Sequence, residues 1–184
     1  MTSYSQAAQD IFVRKILPKT DGTFIDIGCG GKMLSNTLAL EELGWKGVLM
    51  DVNPNALDCP RKNPFICADA TKYNWRDSAL LGTTVDYLSL DIDDGSLDAL
   101  AQLLKADIKF RVITAEHDAY RLGDKLRVPM RKVFREQGYF PLCTNVSCTS
   151  GMPYEDWHIC QELRVQALPM MCDGKNYTEI PNLL

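Results

Sequence analysis

The feature that most constrains the fold is a glycine-rich turn, Asp26-Ile27-Gly28-Cys29-Gly30-Gly31, that follows the β-rich run Thr23–Ile27 and opens into a helical pattern. Glycines let a backbone turn sharply and approach a ligand with no Cβ in the way. Such a turn implies a strand ending at it, a helix leaving it and a parallel neighbour for the strand. The rest of the chain supplies that alternation. Residues 5–17 read as an amphipathic helix, with Ile11, Phe12, Ile16 and Leu17 on one side and Pro18 ending it. Leu34, Leu38, Leu40 and Leu43 predict a helix stopping at Gly44, and residues 47–51 a second strand.

Residues 64–68, 85–90 and 110–115 predict three more strands, and Ser96 caps a helix carrying Leu97, Leu100, Leu103 and Leu104. A helix is expected from near Pro129 to Gly138, then two closing, antiparallel strands at about 139–146 and 158–167. Strands alternating with helices give an α/β fold, a mostly parallel sheet covered on both faces. With 184 residues and 46% hydrophobic content, one domain is expected: an N-terminal helix or lid (1–20), a core (21–167) and an irregular tail (168–184).

The net charge of −4 gives no global signal for nucleic acid or an anionic membrane. No apolar run approaches the roughly 20 residues a membrane span needs, and residues 1–6 lack the pattern of a signal peptide. Seven cysteines, including Cys29, Cys67 and Cys148, form no Cys-x-x-Cys pair, which fits reduced thiols in a cytoplasm.

Ligands of such folds bind beyond the carboxyl ends of the strands. Asp26 precedes Gly28 and Gly30 and suits a ligand bearing an ammonium group. Asp51 ends the second strand, where a carboxylate can accept both hydroxyls of a ribose, and Asp69 follows the third, within reach of an adenine amino group. A turn glycine cluster, a strand-end turn and a helix cap explain each alone. In order, the three acids favour an adenosyl ligand. A nicotinamide dinucleotide is disfavoured, because position 33 is Met33 where its fingerprint has a third glycine, and no Tyr-x-x-x-Lys pair is present.

Several segments carry a family likeness: residues 4–12, Ser35-Asn36-Thr37 with Leu43-Gly44-Trp45-Lys46-Gly47, Asp51-Val52-Asn53-Pro54, Leu88 to Asp93, Glu116-His117, Gly138-Tyr139 and Glu155-Asp156-Trp157. Over residues 4–160 the chain resembles the FkbM-family methyltransferases, although its loop reads Gly-Cys-Gly-Gly-Lys rather than the commoner Gly-Ala-Asn-Asp-Gly type. The resemblance implies a Rossmann-like, seven-stranded methyltransferase fold, S-adenosylmethionine as donor on Asp26, Gly28, Gly30, Asp51 and Asp69, and methyl transfer to an oxygen of a sugar or other secondary metabolite.

A hydroxyl must be activated by a general base or a divalent metal. Candidates cluster after the fourth and fifth strands: Asp91, Asp93, Asp94, Glu116, His117 and Asp118. Asp91 and His117 are the catalytic candidates. The positions are also similar to those of metal-dependent catechol-type O-methyltransferases, which makes Asp91, Glu116 and His117 candidate ligands for Mg²⁺ or Mn²⁺. Strand-end acids capping helices and a turn histidine are the plain alternatives.

Gln6, Gln9 and Asp10 form the polar side of the first helix, either a lid or a solvated face. Arg121, Lys125, Arg127, Arg131, Lys132 and Arg135 read mainly as a solvated basic face, and His158 as structural or substrate-facing. The acceptor pocket is expected from the first helix, the loops after strands four and five and residues 147–157, with contacts between copies of the chain as a further source. The alternative function is a non-catalytic adenosyl-binding or scaffold protein.

Overall fold

The computed structural model describes residues 2–147 and 151–183, so Cys148 lies outside the described residues. Its strands are β1 (Thr23–Ile27), β2 (Lys46–Asp51), β3 (Phe65–Cys67), β4 (Thr84–Leu90), β5 (Lys109–Glu116), β6 (Phe140–Ser147), β7 (Pro153–Ile159) and β8 (Cys172–Asp173). They form one sheet in the order β3-β2-β1-β4-β5-β7-β6-β8. Strands β1 to β5 are mutually parallel and β7 enters antiparallel between β5 and β6. The order reverses between β1 and β4, the crevice where open α/β sheets hold ligands.

Side chains alternate across the sheet, so each strand feeds two cores. On one face Phe24, Tyr87, Val112 and Trp157 pack against Phe12 of helix α1 (Gln9–Ile16), whose ring lies 4.5 Å from that of Trp157. On the other, Ile25, Leu88 and Ile113 meet Leu100 and Leu103 of α3 (Ser96–Lys105) and Met130 and Phe134 of α5 (Asp124–Glu136). Between β1 and β2 lies the short α2 (Leu38–Glu42), and α4 (Ala119–Leu122) follows β5.

Several boundaries differ from the sequence reading. An eighth strand, β8, joins β6 in parallel. The last closing strand is Pro153–Ile159, earlier than expected; residues 161–167 coil into helical turns that bury Leu163 and Ala167. Helix α5 starts at Asp124 and contains Pro129, because burying Leu126, Met130 and Phe134 at i, i+4, i+8 outweighs one missing backbone hydrogen bond.

The helix expected through residues 34–43 keeps only its last turns. Leu34 is left-handed (φ 72°), and Ser35 Oγ accepts from Leu38 N (3.1 Å) to start α2. No helix among the described residues is long and apolar enough to cross a membrane.

Candidate functional site

Gly28 stands at φ +81°, and a Cβ added there would lie 1.7 Å from the carbonyl oxygen of Asp91. The glycine thus lets the loop after β1 touch the chain leaving β4, which no other residue allows. Gly28 N donates to Met50 O (2.9 Å), so the loop also rests on β2. Beside it opens a cavity of about 290 Å³ lined by Ile27, Asp51, Val52, Asp69, Ala70 and Ile92, among others. A larger cavity of about 470 Å³, lined by Thr84, Lys109, Tyr139 and Cys160, lies at the opposite edge, away from the carboxyl ends of β1 to β5.

Asp51 and Asp69 both line the smaller cavity, but in different states. Asp51 Oδ1 accepts from Asn53 N (2.8 Å), which fixes the carboxylate at the end of β2. Asp69 is more heavily engaged: Oδ1 accepts from Thr71 N (3.0 Å) and Oγ1 (2.6 Å), and Oδ2 faces Lys72 Nζ at 2.7 Å. The Lys72 ammonium and the Thr71 hydroxyl hold its pKa down at about 2. Asp69 thus closes a turn and caps no helix, alongside its place in the cavity wall.

Asp26 does not line the cavity. It is 2% exposed; Thr37 Oγ1 donates to its Oδ2 (2.5 Å), and burial raises its pKa against these bonds. Behind Thr37 stands Arg61, whose Nη2 donates to Thr37 Oγ1 (2.8 Å) and whose Nε pairs with Glu41 (3.1 Å). Arg61 comes from the irregular crossing between β2 and β3, where residues 52–64 form no helix. The sequence reading missed Arg61, because nothing in its spacing signals burial.

The sheet face toward α1 carries a polar row in register: Asp26 opposite Ser89, and Ser89 opposite Thr114. These interrupt otherwise apolar strands at period two, a signal carried by the sequence itself. Gln9 and Asp10 belong to the same buried region and are no solvated helix face. Gln9 Nε2 donates to Glu155 Oε2 (2.9 Å), and Asp10 gathers Ser3 Oγ, Tyr4 N and Ser5 Oγ. Ser5 then bridges to Leu34, laying the N-terminal segment beside the glycine loop; Gln6 is exposed.

Burial pushes the Glu155 carboxyl up to about 8, against an ordinary value of 4.5. The native state then holds a proton between these two pH values that the unfolded chain has released. Stability from this group is complete below about pH 4.5 and is lost as the pH rises towards 8. Each unit of separation is worth about 1.4 kcal/mol. Glu155→Gln is expected to lose less stability than the parent between pH 5 and 8 in urea titrations; parallel pH curves would refute the assignment.

At the acceptor side the ends of β4 and β5 bring Asp91 and Glu116 together. Asp91 as a residue is exposed, but its carboxyl faces Glu116 in crowded surroundings and burial raises its pKa. Burial, and then the Asp91 carboxylate itself, push Glu116 up to about 12. With two carboxyls this close and burial raising both pKa values, Glu116 keeps its proton near neutral pH and can donate it to Asp91. Asp118 lies behind them, and one guanidinium nitrogen of Arg121 meets Asp118 (2.6 Å), Asp93 (3.0 Å) and Asp94 (3.1 Å).

His117 is not part of this pair, so the structure does not bring together the three residues of the catalytic and metal-ligand expectation. Strand alternation turns it to the opposite face, where it is 1% exposed, its Nδ1 accepts from Ala119 N (3.2 Å), and its Nε2 lies 3.5 Å from Asp156 Oδ1. Among the described residues no group of three or more His, Cys, Asp and Glu side chains is placed to hold a metal ion, so the Mg²⁺ or Mn²⁺ expectation at Asp91, Glu116 and His117 finds no support. His158 is buried in the core: burial lowers its pKa to about 4, and its ring centroid lies 4.3 Å from that of Phe134. In the basic stretch Arg131 is spent on Asp156 (2.6 and 2.8 Å) and Arg127 on Asp124 and Asn145.

No family model matches the chain, and no curated protein matches it. Solved structures do match its fold. A TehB-like SAM-dependent methyltransferase from Corynebacterium glutamicum aligns with 85% of this chain and 88% of its own, with a TM-score of 0.59 and 15% identity. A candidate rRNA methylase from Clostridium thermocellum aligns with 86% and 97%, at TM-score 0.58 and 13% identity. The 1,6-didemethyltoxoflavin-N1-methyltransferase of Burkholderia thailandensis, solved with bound 1,6-didemethyltoxoflavin and S-adenosylhomocysteine, aligns with 82% and 74%, at TM-score 0.50 and 11% identity. The architecture is thus an α/β methyltransferase-like fold, with eight strands in place of seven.

Proposed function

We propose that this chain is an S-adenosylmethionine-dependent methyltransferase acting on the oxygen of a small hydroxylated acceptor, such as a sugar or secondary metabolite. The observation that carries this reading is the double role of Asp91. Its carbonyl closes on Gly28 of the glycine loop, while its carboxyl makes the proton-sharing pair with Glu116. A base and a donor-binding loop therefore meet at one strand end. The ordered sequence motifs favour the FkbM branch of this fold.

The wall residues fit the donor. Asp51 offers a carboxylate to ribose hydroxyls, Val52 and Ile92 offer apolar surface to adenine, and Gly28 and Gly30 let the loop approach the amino-acid end. Bound there, the donor supplies a sulfonium methyl group to an oxygen held about 3 Å away. Asp91 accepts the hydroxyl proton, and Glu116 keeps Asp91 in place by donating to it. The residues around the acceptor mouth are predominantly acidic, which opposes a phosphate-rich acceptor and favours a small molecule over nucleic acid.

Calorimetric titration with S-adenosylhomocysteine and with NAD tests the reading. S-adenosylhomocysteine is expected to bind in roughly the micromolar range usual for enzyme ligands, and NAD not measurably. Binding of NAD without S-adenosylhomocysteine would overturn it. Donor binding without transfer to any member of a hydroxylated acceptor panel, under conditions where Asp91 is ionised, would favour the non-catalytic alternative.

A further inference from the structure

We propose that Asn36, from the Ser35-Asn36-Thr37 segment before α2, receives the ammonium group at the amino-acid end of the donor through its side-chain oxygen. The inference rests on the donor reading above and deepens it. Asn36 is 8% exposed; its Nδ2 donates to Ser89 Oγ (3.1 Å), while its Oδ1 has no hydrogen-bond partner. Buried acceptors without partners are rare in native proteins, and one beside a ligand loop marks where a donor group belongs.

The neighbouring bonds fix which way the amide points. Arg61 donates to Thr37 Oγ1, so the Thr37 hydroxyl hydrogen goes to Asp26. Ser89 also gives its hydroxyl hydrogen to Asp26, which leaves its oxygen to accept from Asn36 Nδ2. The amide atom left without a partner is then the oxygen. Ser89 stands directly opposite Asp26 and two residues before Asp91, whose carbonyl touches Gly28, so Asn36 packs close behind the glycine loop, next to the residues that line the cavity.

This arrangement reassigns the ammonium contact expected of Asp26. With Thr37 and Ser89 on its oxygens, Asp26 supplies negative charge from behind the wall. Asn36 makes the contact. An ammonium group suits both, since it donates to the amide oxygen and is attracted by the carboxylate beneath.

The test compares S-adenosylhomocysteine with its deaminated analogue, in which the amino group is replaced by hydrogen. In the parent protein the analogue is expected to bind about 10-fold or more weakly, the usual value of one charge-assisted hydrogen bond. In Asn36→Ala that ratio falls to within about 3-fold, and in Asn36→Asp, which keeps an acceptor oxygen, it persists. 5′-Methylthioadenosine, which lacks the whole amino-acid end, is expected to bind parent and variants alike. A parent ratio near one, or an undiminished ratio in Asn36→Ala, overturns the assignment of Asn36 alone. If Asn36→Ala does not fold, the parent ratio and Asn36→Asp decide. Failure of the parent to bind S-adenosylhomocysteine overturns the donor reading and this inference together.

Discussion

Asp91→Asn is expected to lower the methyl-transfer rate by about 10² to 10⁴, the range a positioned general base contributes. Affinity for S-adenosylhomocysteine should stay within about 3-fold, because the Asp91 contact with Gly28 is made by a backbone carbonyl that the substitution keeps. Glu116 has a different task. Its raised pKa leaves it protonated, donating to Asp91, so Glu116→Gln retains a donor and should cost less than Asp91→Asn. Glu116→Ala removes the donor and should cost more than Glu116→Gln. The measurement is transfer of a labelled methyl group to whichever acceptor the hydroxyl panel yields. Equal losses for Glu116→Gln and Glu116→Ala, or full activity in Asp91→Asn, would refute the division of roles.

Gly28→Ala has an effect of similar size through a different route. The left-handed backbone at φ +81° costs an alanine about 1–2 kcal/mol. The new methyl group would overlap the Asp91 carbonyl, 1.7 Å away, and backbone cannot yield as a side chain does. Forced overpacking adds about 1–3 kcal/mol. A stability loss of about 2–5 kcal/mol is therefore expected in urea unfolding, together with loss of detectable S-adenosylhomocysteine binding. Gly30→Ala is the control: Gly30 also has positive φ (+48°), but a Cβ there would come no nearer than 4.0 Å to Gly28 O, so only the backbone cost of about 1–2 kcal/mol remains. A Gly28→Ala protein as stable as Gly30→Ala would remove the close approach from the argument.

The parallel half of the sheet was legible because its strands are short apolar runs set between turns. Thr23–Ile27 and Thr84–Leu90 are buried along almost their whole length, which leaves little freedom in where they begin. The antiparallel half was harder to read. In β7 the charged residues Glu155 and Asp156 are buried, so its pattern does not look like a strand until Gln9 and Arg131 arrive to satisfy them. Helix α5 misled for a related reason, since a proline inside a helix is tolerated only when tertiary burial compensates for it.

The site divides in the same way. Local sequence determined the glycine loop, with Gly28 and Gly30, and the strand-end positions of Asp51, Asp69, Asp91 and Glu116, because turn geometry and strand period are short-range properties. Only the tertiary structure decided which side chains meet. His117 follows Glu116 directly, yet strand alternation sends it to Asp156 on the other face. Asp26 precedes the loop it was expected to serve, yet Thr37 and Ser89 take its oxygens, while the buried Oδ1 of Asn36 is left without a partner. The physical reason is that hydrogen-bond partners of a buried polar group are set by neighbours distant in sequence, such as Arg61 and Ser89, whose placement only folding fixes.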